Sequence, residues 1–88
     1  MERVLGIGGF FLKASDPAAL SAWYREVLGL DAGEHGLWTQ EPGPTVFATF
    51  DADTDYFGPG QQPSMLNFRV ADLDAMLAQL RGHGAEVA

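Results

Sequence analysis

Lys13 and Arg69 are the two cations best placed to act together. Each lies three residues before an aspartate, Asp16 and Asp72, that precedes an apolar periodic run. Equivalent basic positions of this kind could receive an anionic substrate group. The plainer reading puts both at strand ends with their charged heads in water. His35 and His83 are the only histidines. A metal or general-base role would need partners at matching geometry. His35 falls in a turn-like Glu34-His35-Gly36 stretch, which suits an exposed polar residue. His83 falls at the end of a helical pattern, where the free carbonyls and the dipole favour it. Trp38 could stack on a ligand, although an aromatic on a strand more often belongs to a core. Asp51, Asp53 and Asp55 have the acid spacing of a calcium loop. Tyr56 stands where that loop needs glycine, and Gln62 where it needs a bidentate glutamate, so a solvated loop fits better. Cysteine is absent, which removes disulfides, thiolate nucleophiles and Cys-bound metal. No phosphate loop, Gly-x-Ser-x-Gly elbow or Ser/His/Asp set is present.

The elements that must position these groups read as follows. Asp16 to Leu30 is an amphipathic helix with both ends marked. Asp16 caps it, Pro17 suits its first position, and Gly29 can end it in the left-handed conformation. Leu20, Trp23, Tyr24, Val27 and Leu28 share one face, and so large a face calls for a sheet to lie on. Before the helix, the Gly-interrupted apolar run from Val4 to Ala14 reads as a strand. After it, residues 30–34 and 37–40 read as strands about a turn at 34–36. Glu41-Pro42-Gly43-Pro44 is a turn signal, and Thr45 to Phe50 a further strand. Residues 51–63 read as a connecting loop. Ser64 to Val70 alternates, with Leu66, Phe68 and Val70 opposite Met65, Asn67 and Arg69. Asp72 then caps a second helix carrying Leu73, Met76, Leu77 and Leu80, which Gly82 or Gly84 can end. Residues 85–88 begin something extended.

The second half echoes the first, so one supersecondary unit is used twice. The chain reads as a single domain over residues 1–88. Its first module covers about 4–57 and a partial second module about 64–88. The net charge is −7, with a sequence pI near 4.4. That balance argues against nucleic acid and against an anionic membrane surface. No apolar run reaches the ~20 residues that span a bilayer. No signal-peptide pattern opens the chain, so a cytoplasmic location is the default expectation.

The strand-Asp-Pro-helix segment with WYREVLGL, together with MLNFRVADLDAMLAQLRGHGAEV, resembles the glyoxalase/bleomycin-resistance/extradiol-dioxygenase superfamily, the vicinal oxygen chelate proteins. The resemblance covers nearly the whole chain. It implies an α+β fold: a βαβββ module followed by a truncated second βα(β) repeat, whose mixed curved sheet forms an open cup. It also implies a homodimer. In metal-using relatives one ligand lies seven residues before each capping aspartate, which here gives Gly9 and Met65. A third is a glutamate on the last strand of the first module, where Ala48 matches. None of the three suits a hard divalent metal.

With the family's ligand positions on the cup face, strand alternation places Phe11, Lys13, Val46, Phe50, Met65, Asn67 and Arg69 there, and Trp38 joins them as a stacking surface. The resemblance therefore implies a small-molecule-binding protein of the drug-sequestering kind. It would hold a small aromatic or anionic ligand, with no cofactor and no assigned catalytic residue. One alternative is a metal-dependent lyase, isomerase or dioxygenase whose ligands are displaced or come from a partner chain. Another is a truncated fragment active only as an intertwined dimer.

Overall fold

A computed structural model describes residues 1–87. Among them are two helices, α1 (Pro17–Leu28) and α2 (Leu73–Gly82). Both form where local chemistry dictates. The Asp16 carboxylate accepts from the Ala19 N–H at 3.1 Å, and the Asp72 carboxylate accepts from the Ala75 N–H at 3.0 Å. Each satisfies one of the orphan donors of a first turn. Pro17 occupies the first turn of α1, where a missing N–H costs nothing.

The C-terminal ends close differently. Gly29 takes φ 68° at the end of α1, and the Gly29 and Leu30 N–H groups both donate to the Tyr24 carbonyl. Past α2, Gly84 takes φ 80°. The Ala85 N–H donates to Leu80 and the Gly84 N–H to Arg81, each at 3.0 Å. That is the Schellman arrangement, with His83 as the cap residue. Gly84 therefore makes the turn, and Gly82 stays helical.

The expected α+β fold is corrected: no β-strand is present among the described residues. There is accordingly no βαβββ module, no second βα(β) repeat, no curved sheet and no cup. The physical reason lies in the hydrogen bonds. Outside the helices, every backbone–backbone bond caps a helix or closes a short turn. The segments 4–14, 37–40, 45–50 and 64–70 carry no regular secondary structure and no ladder joins them. A strand exists only through such a ladder. The alternation in 64–70 has no covering layer to express it: Met65 is 49% exposed and Leu66, on the other face, 47%. The expected start over 85–88 likewise forms no strand through Val87, and Ala88 lies outside the described residues.

The turns survive without their strands. Residues 33–36 form the turn expected around His35, and the Asp31 carboxylate accepts from the Gly33 N–H at 2.8 Å. In the expected loop, Thr54 bonds back to Asp51 and Gly58 to Asp55, each at 3.1 Å.

What joins the distant parts is α1 against α2. Val27, 5% exposed, is the only buried residue among those described. The Gln79 side-chain amide donates to the Val27 carbonyl at 2.5 Å, across 52 positions of sequence. The face of α1 is thus partly covered by a helix rather than by a sheet, and Trp23 remains 40% exposed. The radius of gyration is 15.3 Å. A compact domain of this length would have about 12 Å, so the molecule is open.

Replacing Asp72 by Ala removes the α2 cap and is expected to lower stability by about 1 kcal/mol, read as a shift in the urea midpoint by circular dichroism. Gln79→Ala removes the tie to α1 and is expected to cost a similar amount, about 1 kcal/mol, while leaving the helical signal of α2 itself in place. An unchanged midpoint for Gln79→Ala would count against the tie.

Candidate functional site

A concavity lies where the end of α1 meets one side of α2. Its volume is about 250 Å³. Leu28, Gly29 and Leu30 border it from the end of α1. Leu73, Met76, Leu77 and Leu80 supply the opposite wall. Those four follow the i, i+3, i+4, i+7 spacing, so the helix presents them as one stripe. Phe68, Arg69 and Val70 come from the segment leading into α2, and Trp38 from the segment after the 33–36 turn.

Aromatic contacts fix the cleft's outer rim. The Phe68 ring stands between Tyr24 and Trp38, edge-on to both, with centroid separations of 6.3 and 6.4 Å. Tyr24 in turn meets Trp23 at 5.3 Å, also edge-on. Such pairs add a few tenths to about 1.5 kcal/mol beyond the area they cover. Arg69 is the single charged lining residue. Its Nη2 donates to the Glu41 carbonyl at 2.7 Å, which holds the Glu41–Pro44 stretch beside it.

Of the eight expected ligand-facing residues, Trp38 and Arg69 come together in this cleft. The other six lie outside it. Phe11 and Val46 stand free at 91% and 89% exposure, and Lys13, Met65 and Asn67 are exposed on their own segments. Phe50 belongs to a separate cluster, stacked on Tyr56 at 5.4 Å and edge-on to Phe57 at 5.2 Å. Lys13 and Arg69 share a repeat position but line no common site. The cleft-lining stripe of α2 was visible in the sequence only as a helix face, and the same spacing serves either purpose.

A second, wider opening of about 550 Å³ separates Val4–Ile7 from Gly43, Thr45 and Phe47. No charged side chain lines it, and no helix walls it. It is a gap between two unpaired segments rather than a built site.

The donor set does not suit the divalent metal of metal-using relatives. Gly9 offers no side chain, Ala48 a methyl group and Met65 a soft thioether. Among the described residues, no three His, Cys, Asp or Glu side chains converge as a metal would require. His35 sits exposed in its turn and His83 exposed at the cap of α2. The cleft is open to solvent, with Trp38 44% and Leu73 64% exposed, and its lining is apolar apart from one guanidinium.

No helix among the described residues is long and apolar enough to cross a membrane. No curated protein and no solved structure matches the chain. A family model, that of the glyoxalase-like domain, matches residues 9–88. That span holds α1, α2 and every residue lining the cleft between them, and the chain belongs to the glyoxalase-like domain family.

Proposed function

We propose that this chain is a small-molecule-binding member of the glyoxalase-like family that works without a bound metal. The observation that carries the reading is the joining of Trp38 and Arg69, two residues expected to meet a ligand, to the apolar stripe of α2 in one cleft. A mostly apolar concavity with few polar groups is the usual make-up of a ligand site. The unsuitable chemistry of Gly9, Ala48 and Met65 supports the metal-free part of the reading.

We propose further that the working form is a homodimer. With Val27 alone buried, the described residues leave Val4, Leu5, Phe11, Leu37, Val46 and Phe47 in water. A chain of this size has little stability to spare, and association is the ordinary way to cover so much apolar surface.

The ligand reading is tested by titrating the chain with 2-phenylethanol and following amide and indole N–H shifts by NMR. Saturable shifts at Trp38, Phe68, Met76 and Leu80, lost in Leu77→Asp, are expected. Shifts spread evenly over the chain, Phe11 and Val46 included, would overturn it. Native mass spectrometry checks the other two parts. The expected species is metal-free, at twice the 9.5 kDa chain mass. A stoichiometric divalent ion would sink the metal-free reading, and a persistent monomer the dimer.

A further inference from the structure

We draw no further inference here: the strongest candidate, the exposed and uncharged segment at residues 45–50, faces residues 4–7 of its own chain across an open gap, and nothing in the structure shows whether those residues or a second copy of the chain cover it.

Discussion

The contact between α1 and α2 is the constraint on which the rest of this molecule depends. Val27 is buried there, and Gln79 reaches across to the Val27 carbonyl. Without that contact the two helices would be separate short segments. Helices of 12 and 10 residues are marginal alone in water, even when well capped. Their caps set where each begins and ends. Packing decides whether either persists. The cleft lies beside the same contact, bordered by the end of α1 and by Leu73, Met76, Leu77 and Leu80 of α2.

Polar chemistry enters this frame from the connecting segments. Trp38 and Arg69 lie outside both helices, and each is held by something other than a backbone ladder. Trp38 is positioned by the Phe68 ring and Arg69 by the Glu41 carbonyl. A cleft lined by helix flanks and residues of the connecting segments differs from the sheet-lined arrangement that the superfamily resemblance implies. The difference follows from the absence of inter-segment hydrogen bonding, not from a different set of side chains.

Helix ends were legible in the sequence because their causes are local. Asp16 and Asp72 act within three residues, and Gly29 and Gly84 within their own φ angles. The turn around His35 was legible for the same reason. Strands were not, because alternation such as Leu66, Phe68 and Val70 states which face a segment could present and not whether a partner arrives. Of the candidate cleft little was legible, since two of the eight expected residues line it. Trp38 and Arg69 stood out by type, while Met76 and Leu80 read as ordinary helix core. Phe11 and Val46 were placed by a pairing register that does not form, so their common face disappeared with the sheet.

The purely local character of the backbone bonding has a consequence for kinetics. Each bond outside the helices closes over only a few residues, so little loop-closure entropy must be overcome before it forms. Those caps and turns form on the microsecond scale of helix formation, whereas the α1–α2 contact must first close a loop of about fifty residues. The local structure also unravels piecemeal. Amides in the extended segments have no ladder to shield them, so they exchange with solvent at rates close to those of an open chain, while protection concentrates in the two capped helices.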